Sequence, residues 1–335
     1  MPGWKKYVFA AVLVTAAGFA YRAVNHRSVP SGLRDAVADE VKAQGFDTTI
    51  PVVEKNEGGI PIPKAAISVE TRASGKGSGA GNDPSAGRPS KPIEWIAIEV
   101  GWEHGDFIMG IFSSSKEKGF EDAKPRHRVN LKTFDMSKTE VTVEQYAECV
   151  IKGMCTEPGT GDYCNWGKPG RQLHPVNCVD WDQANQYAKF MGGRLPSEAE
   201  WECAASNVGW TPYPWGEDTP TCDKAVIIGN GRYGCSDGST MPVCSKPAGN
   251  TKYGLCDMAG NVWEWVQDKY RDSYENVPDD GSAVEFEGVG SSHRVFRGGS
   301  FNDAEAVALR TSFRNFEDPS HRFINIGFRL ARSSR

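Results

Sequence analysis

The side chains with the clearest chemical potential in this sequence are nine cysteines, all between residues 149 and 256. No two have Cys-x-x-Cys spacing, which disfavours a zinc ribbon or a thioredoxin-type motif. Such a cluster is typical of an oxidising compartment, where cysteines form disulfides. Short-range pairing predicts Cys149–Cys155, Cys164–Cys178, and Cys222–Cys235 or Cys244–Cys256, although spacing alone does not fix connectivity. Because the count is odd, one thiol is left over, and Cys203 is expected to be that buried, inert group.

Metal or nucleic-acid chemistry has less support. The six histidines are scattered, with no two within four residues of each other, so an iron site of two histidines and a carboxylate is poorly supported. His174 precedes a proline and is expected to be structural. The formal net charge of -5 gives no sign of nucleic-acid binding.

The elements that must position these residues begin after Pro92. Apolar alternation over residues 94–100 and 128–134 predicts strands. Capping boxes predict three helix starts, at Thr142, Asp180 and Ser197, and Gly192-Gly193 would close the second helix. The remaining chain is dense in Gly, Pro and Trp, which indicates an α+β domain rich in ordered loops.

The N-terminal part is predicted to be a targeting segment followed by a flexible linker. Lys5 and Lys6 precede an uncharged, mostly apolar run over residues 7–21, which is short for a membrane span and typical of a signal peptide. We therefore predict a signal peptide or signal anchor over residues 1–24. Residues 25–92 are predicted to be a flexible linker with one weak helix, rich in Gly, Pro, Ser and Lys. The protein is expected to be periplasmic or extracellular, with any membrane contact made by residues 4–24.

A series of short motifs then runs in order through residues 93–332. It comprises Phe107-Ile-Met-Gly110, Pro125-Arg-His-Arg-Val129, Lys138-Thr-Glu-Val-Thr142, His174-Pro-Val176, Arg194-Leu-Pro-Ser-Glu-Ala-Glu-Trp-Glu202, Tyr213-Pro-Trp-Gly216, Asp257-Met-Ala-Gly-Asn-Val-Trp-Glu-Trp265, Arg297-Gly-Gly-Ser300 and Ile326-Gly-Phe-Arg329. This series resembles the formylglycine-generating enzyme, or sulfatase-modifying factor, family across residues 93–335. The resemblance implies a compact domain related to C-type lectin folds.

The resemblance also locates a catalytic position. Active members carry two copper-binding cysteines, three residues after the serine of the Gly-Gly-Ser motif and five residues further on. Here those positions are Asp303 and Ala308, and no cysteine follows Cys256. An alanine cannot ligate a metal, and one carboxylate cannot hold copper(I), which prefers soft ligands. Copper and formylglycine formation are therefore not expected.

The same resemblance implies a ligand groove. Trp263 and Ser300 match positions that line the family's peptide groove, and Asn302 and Asp303 are expected to present polar groups there. Of the C-terminal arginines, Arg310 and Arg314 are candidates for facing the groove, where they would favour an anionic ligand. Most of the other arginines are expected to pair with carboxylates.

A structural calcium ion is implied as well. Its ligands would be the side chains of Asp257 and Glu264 and the carbonyls of Gly260 and Val262. Hard oxygen donors packed into eight residues suit calcium. The alternative is that Asp257 caps a turn and Glu264 pairs with an arginine.

Two functions follow from these residues. The first is a non-catalytic binding or structural module at the cell envelope, with a protein, peptide or glycan ligand and no nucleic acid. The alternative is an oxidoreductase or modifying enzyme of the same family that uses different chemistry on a protein or small molecule.

Overall fold

The computed structural model describes residues 91–100, 106–112, 114–116, 118–207, 211–285 and 292–334. The predicted targeting segment lies outside the described residues, as does the predicted linker up to residue 90. Within the described residues, no helix is long and apolar enough to cross a membrane.

Each α-helix of the described chain begins at a predicted capping box. The helices are α1 (Val143–Ile151), α2 (Trp181–Phe190) and α3 (Glu198–Ala205). The side chains of Thr142, Asp180 and Ser197 each accept a hydrogen bond from the backbone N–H of the residue three positions later. The side chain of that later residue in turn accepts a hydrogen bond from the backbone N–H of the capping residue. Gly192 follows α2 with φ of +70°, the left-handed conformation that ends helices. The predicted helix starts are therefore confirmed.

The strands form three small sheets within the described chain. They are β1 (Trp95–Ile98), β2 (Asp106–Met109), β3 (His127–Asn130), β4 (Phe134–Ser137), β5 (Trp263–Lys269), β6 (Arg294–Arg297), β7 (Asn315–Glu317), β8 (Ile326–Phe328) and β9 (Ala331–Ser333). The strand orders are β1-β4-β9, β2-β3 and β7-β6-β5-β8, and every pair is antiparallel except β5 with β8. The alternating run of residues 128–134 spans the end of β3 and the start of β4, so it joins two sheets instead of forming one strand.

Ordered loops make up much of the domain, as predicted. Between residues 211 and 262 the described chain forms no α-helix and no strand, and its helical segments are two short 3-10 helices at Tyr233–Ser236 and Pro247–Gly249. The loops pack on a core in which α1 and α2 bury Tyr146 and Tyr187 against Phe328 of β8. The mixed α/β architecture with few helices agrees with the predicted class.

Four disulfides cross-link these loops. They join Cys149 to Cys155, Cys164 to Cys178, Cys222 to Cys235, and Cys244 to Cys256. Cys203 is free and fully buried in α3, and burial raises the pKa of its thiol far above the usual value. The predicted short-range pairs are confirmed, and Cys203 is chemically quiet because the reactive thiolate is disfavoured there.

Candidate functional site

The two positions at which the resembled family carries copper-binding cysteines lie after the Gly298-Gly299-Ser300 loop. Both glycines have positive φ, of 104° and 74°, which lets the loop turn sharply out of β6. Asp303 follows this loop, and Ala308 lies buried in the 3-10 turn Ala306–Leu309. Neither side chain carries sulfur, so the soft donors that copper(I) requires are missing at both positions.

Asp303 is held by a compact hydrogen-bonded group. The Ser300 hydroxyl lies 2.5 Å from Asp303 Oδ2 and 2.7 Å from Asn302 Oδ1. Asn325 Nδ2 donates to Asn302 Oδ1 at 3.0 Å, and the Trp263 side chain hydrogen-bonds to Asp303. The structure thus brings together four residues that the sequence pointed to, and it adds Asn325.

The protonation of Asp303 reflects two opposing effects. Burial raises the pKa of its carboxyl above the usual value, while the hydrogen bonds from Ser300 and Trp263 favour the ionised form. Trp263 is itself fixed at the start of β5, where its ring meets those of Phe296 and Phe313 at centroid distances of 5.2 and 6.1 Å. The carboxyl is therefore held by hydrogen bonds to residues whose own positions are fixed by packing.

Two exposed tyrosines flank this polar group. Tyr163 and Tyr233 are 40% and 41% exposed. Their rings lie 6.3 and 6.0 Å from the ring of Phe301, which is fully buried directly after Ser300. Tyrosine is enriched at binding surfaces, so this pair of exposed rings marks a candidate binding surface.

Disulfide-closed loops position both tyrosines. Tyr163 precedes Cys164, which pairs with Cys178, and its carbonyl accepts from Asn177 Nδ2 at 2.8 Å. On the other side, Tyr233 lies two residues before Cys235, whose disulfide closes the loop from Cys222. The intervening Gly234 N–H donates to the Phe301 carbonyl at 2.9 Å. The cross-links therefore tie the aromatic rings to the segment that carries Asp303.

We call this surface the ligand face and define it by Tyr163, Tyr233, Ser300, Asn302, Asp303 and Asn325. Tyr163, Tyr233 and Asn325 were not among the residues predicted from the sequence. One available signal was the proximity of each tyrosine to a half-cystine, since disulfide loops present nearby side chains in fixed positions.

The C-terminal arginines divide in a way that the sequence could not specify. Several of those in the described chain pair with carboxylates, as expected for most of them: Arg294 with Glu285, Arg297 with Glu198 and Glu202, Arg314 with Glu198, Arg322 with Asp180, Arg329 with Glu264, and Arg332 with Asp135. Arg314 is buried, and its guanidinium is directed at Glu198, so it does not face the groove. Arg310 lines a cavity whose walls contain no residue of the ligand face.

The predicted calcium loop is deeply buried and rich in acid. Both oxygens of Glu264 accept from Arg329 at 2.7 Å, which is the arginine pairing considered as the alternative to calcium. Asp257 has φ of +56°, and its Oδ2 accepts from the Cys244 N–H at 2.6 Å. Nearby Glu140 is fully buried, and its Oε1 has no hydrogen-bond partner.

The charge balance of this loop is compatible with a cation. Burial raises the pKa of Glu140 well above the usual value, and the nearby carboxylates of Asp257 and Glu264 raise it further. Three carboxyl groups thus share the charge of Arg329. In the part of the chain that is described, no three His, Cys, Asp or Glu side chains are placed to hold a metal ion. A calcium ion here would therefore depend on backbone carbonyls such as those predicted for Gly260 and Val262.

Comparison with known proteins gives consistent results. The family model of the sulfatase-modifying factor enzyme 1-like domain matches residues 90–334. A hercynine oxygenase of Mycolicibacterium smegmatis is 30% identical over 269 residues, covering 68% of this chain and 59% of that protein. The formylglycine-generating enzyme of Streptomyces coelicolor is 38% identical over 174 residues, covering 48% of this chain and 54% of that enzyme.

A solved structure agrees in fold. PvdO from Pseudomonas aeruginosa matches with a TM-score of 0.58 and 32% identity, over 72% of this chain and 94% of PvdO. The chain spans 59% of the length of the hercynine oxygenase that it matches. The likeness to PvdO, in contrast, covers nearly all of that chain.

Proposed function

Because this chain belongs to the sulfatase-modifying factor enzyme 1-like family through residues 90–334, we propose that it is an exported binding module of that family. Its ligand contacts the ligand face, and it does not oxidise peptide cysteines with copper. One observation carries this proposal. Asp303, hydrogen-bonded to Ser300 and Trp263, and the buried Ala308 stand where copper chemistry would need two thiolates.

A peptide is the ligand class that the face supports best. Trp263 and Ser300 match positions that line the peptide groove of the resembled family; here both are buried, and both hold Asp303 by hydrogen bonds. The exposed rings of Tyr163 and Tyr233 supply apolar contact area at low entropic cost, because a tyrosine side chain has only two rotatable angles to fix. The side-chain amides of Asn302 and Asn325 supply donors and acceptors that suit a peptide backbone. A glycan would use the same chemistry and is the second outcome of the test below.

The test screens purified protein on a printed peptide array and a printed glycan array, followed by titration of the strongest ligand. Tyr163→Ala and Tyr233→Ala should each weaken binding by about tenfold, as expected for aromatic anchors near the centre of an interface. Phe112→Ala is the matched control, because Phe112 is 61% exposed and lies outside the ligand face. Binding that responds to Phe112→Ala but to neither tyrosine variant would contradict the proposal.

The second candidate is an oxidoreductase or modifying enzyme. It is favoured by the 30% identity to a protein named hercynine oxygenase. The histidines of the described chain have separate surroundings: His127 contacts Tyr274, His174 contacts Thr240, His293 contacts Phe316 and His321 contacts Glu317. Oxygen consumption that depends on ferrous iron and on a cysteine-containing substrate would favour this candidate over the binding module.

Two further features belong to the proposal. Export to the periplasm or cell exterior, with residues 1–24 as signal or anchor, is supported by the four disulfides, since such bonds persist in oxidising compartments. A structural calcium ion at Asp257, Gly260, Val262 and Glu264 is supported by the buried carboxyl groups of Glu140, Asp257 and Glu264 and by the Oε1 atom of Glu140, which has no hydrogen-bond partner. It would order the loop that leads into Trp263.

A further inference from the structure

The chain at the end of α1 presents two exposed apolar side chains outside the ligand face. Ile151 is 84% exposed, the most of any large hydrophobic residue in the described chain, and Met154 is 54% exposed. Lys152 and Gly153 between them are exposed as well. We call residues 151–154 the Ile151 tip. Its apolar side chains would gain free energy from any partner that removes them from water.

A disulfide holds the backbone of the tip. Cys149 and Cys155 flank it, and both are buried and joined to each other. Within the closed loop, the Gly153 N–H donates to the Val150 carbonyl at 2.9 Å, and the Met154 N–H donates to the Cys149 carbonyl at 3.0 Å. No atom lies within 4 Å of the place where a Cβ on Gly153 would stand, so the tip faces open space. The apolar pair is therefore displayed from a fixed backbone.

The exposed charge beside the apolar pair is positive. Lys152 lies within the tip, and its Nζ is 5.2 Å from the ring centroid of Phe190 at the end of α2. Lys189, next to that ring in sequence, is exposed too. The tip and the last turn of α2, residues 187–190, contain no acid, and Glu148, one turn before Lys152, is half-buried. Two lysines thus accompany the exposed apolar side chains.

An anionic lipid surface fits this combination better than a protein partner does. A stable protein contact buries about 800 Å² on each partner, far more than two side chains supply. A lipid surface instead accepts a few apolar side chains, while neighbouring lysines extend along them and keep their ammonium groups at the level of the headgroups. Anionic headgroups attract those ammonium groups.

The position of the tip suits a contact that a tether assists. Lys91 joins the described domain to the predicted linker, and its carbonyl accepts from Gln145 Nε2 of α1, the helix that ends at the tip, at 3.1 Å. A signal anchor at residues 1–24 would keep the domain near the membrane and so raise the effective concentration of lipid at the tip. Two weak membrane contacts together hold a protein where one alone does not.

We propose that the Ile151 tip is a membrane-contact surface, which places Ile151 and Met154 in a lipid surface that carries anionic headgroups. The contact rests on the proposed export and anchoring of the chain. It is independent of ligand binding, because no residue of the tip belongs to the ligand face.

The test uses the full chain in vesicles of phosphatidylcholine, with and without phosphatidylglycerol. Oxidation of Met154 by hydrogen peroxide, measured by mass spectrometry, reports whether lipid covers the tip, because methionine oxidation is a modification of accessible side chains. In vesicles that contain phosphatidylglycerol, Met154 should be oxidised severalfold more slowly than in buffer. Met241, which is half-buried in another loop, should be oxidised at the same rate in both.

Variants of the tip assign this protection to its side chains. Ile151→Ser should remove most of it, because the loss of an isoleucine from lipid weakens the contact by about tenfold or more. Lys152→Gln should weaken the contact by about fivefold in vesicles with phosphatidylglycerol and leave it unchanged in phosphatidylcholine alone. Leu173→Ser is the matched control, because Leu173 is a 43% exposed apolar residue of another loop.

The proposal is overturned if the chain binds vesicles while Met154 is oxidised as fast as in buffer, a result that leaves the anchor in place. A chain that does not bind vesicles overturns the contact and the anchor together. Protection that rises with protein concentration in the absence of vesicles would identify a second copy of the chain as the partner and would also overturn it. Equal melting temperatures establish that the variants are folded, and Lys152→Gln provides the test if Ile151→Ser is unstable. Ligand binding should be the same in Ile151→Ser as in wild type, so failure here is distinct from failure of the binding module.

Discussion

Replacing Cys164 and Cys178 together by serine should destabilise the domain and loosen one side of the ligand face. The disulfide closes a loop of sequence separation 14. In the chain-entropy model, opening a loop of that length costs about 3 kcal/mol of unfolding free energy at 25 °C. Asn177, which donates to the Tyr163 carbonyl, remains in the variant, so the loop should loosen without dissociating from the domain.

The Cys149–Cys155 disulfide provides a matched control. Its sequence separation is 6, for which the same model gives a cost of about 2.4 kcal/mol. This disulfide joins the end of α1 to the residues after it, and neither cysteine contacts the ligand face through a hydrogen bond or ring contact described above. The two double variants should therefore have similar stability and different effects on ligand-face geometry.

The assay combines urea unfolding with hydrogen–deuterium exchange. In the wild-type protein the amide of residue 178 donates to the carbonyl of Phe323, two residues before Asn325, at 3.0 Å. Exchange at position 178 should accelerate when Cys164 and Cys178 are replaced, and it should stay near wild type when Cys149 and Cys155 are replaced. Equal acceleration in both variants would refute the assignment of a positioning role to the Cys164–Cys178 disulfide.

Three other predictions concern stability. Glu198→Gln should lower the free energy of unfolding, measured in urea, by about 3–5 kcal/mol, because it leaves the buried guanidinium of Arg297 without one of its carboxylates. A decrease below about 1 kcal/mol would contradict the stabilising role of this buried ion pair. Burial lowers the pKa of His174 to about 4 in the folded protein. Between about pH 6.5 and pH 4 the unfolded chain therefore binds a proton at His174 that the folded protein does not bind, and the free energy of unfolding decreases as the pH falls through that range. The difference in unfolding free energy between wild type and His174→Gln should change over that range and be flat above it. Calcium binding at the loop of Asp257 and Glu264 should raise the melting temperature, with a stabilisation of about 2.7 kcal/mol at a free calcium concentration of a hundred times the dissociation constant. Glu264→Gln should reduce this stabilisation. Equal melting temperatures in chelator and in calcium would rule out the site.

Local features of this fold were predictable because their determinants lie within a few residues of each other. Thr142 and Gln145 form a capping box through bonds that span three residues, and the short disulfide loops follow from neighbouring cysteines. Alternation of apolar side chains likewise predicted β1, whose period of two follows from strand geometry.

Long-range features were not predictable in the same way. Glu198 meets Arg297 and Arg314 across 99 and 116 residues, and no local pattern assigns these partners. Arg310 and Arg314 are only four residues apart, yet one lines a cavity and the other is buried. They lie in irregular chain after a 3-10 turn, where helical periodicity gives no information on side-chain direction.

The ligand face shows the same division. Ser300 and Asp303 are close in sequence, so their contact could be anticipated from the turn that joins them. Tyr163 and Tyr233 reach the same surface because both pack on Phe301, more than sixty residues further along the chain, and because their rings contact each other at a centroid distance of 6.1 Å. A side chain's exposure and its ring contacts are set by tertiary packing, which composition does not report.

The most direct test of the central claim is mass spectrometry of a cysteine-containing sulfatase-type peptide after incubation with the purified protein, copper(I) and oxygen. The account predicts that the cysteine remains unchanged, since Asp303 and Ala308 supply no thiolate. A copper-dependent aldehyde product at that cysteine, formed by wild type and lost in a Trp263→Ala or Ser300→Ala variant, would contradict it.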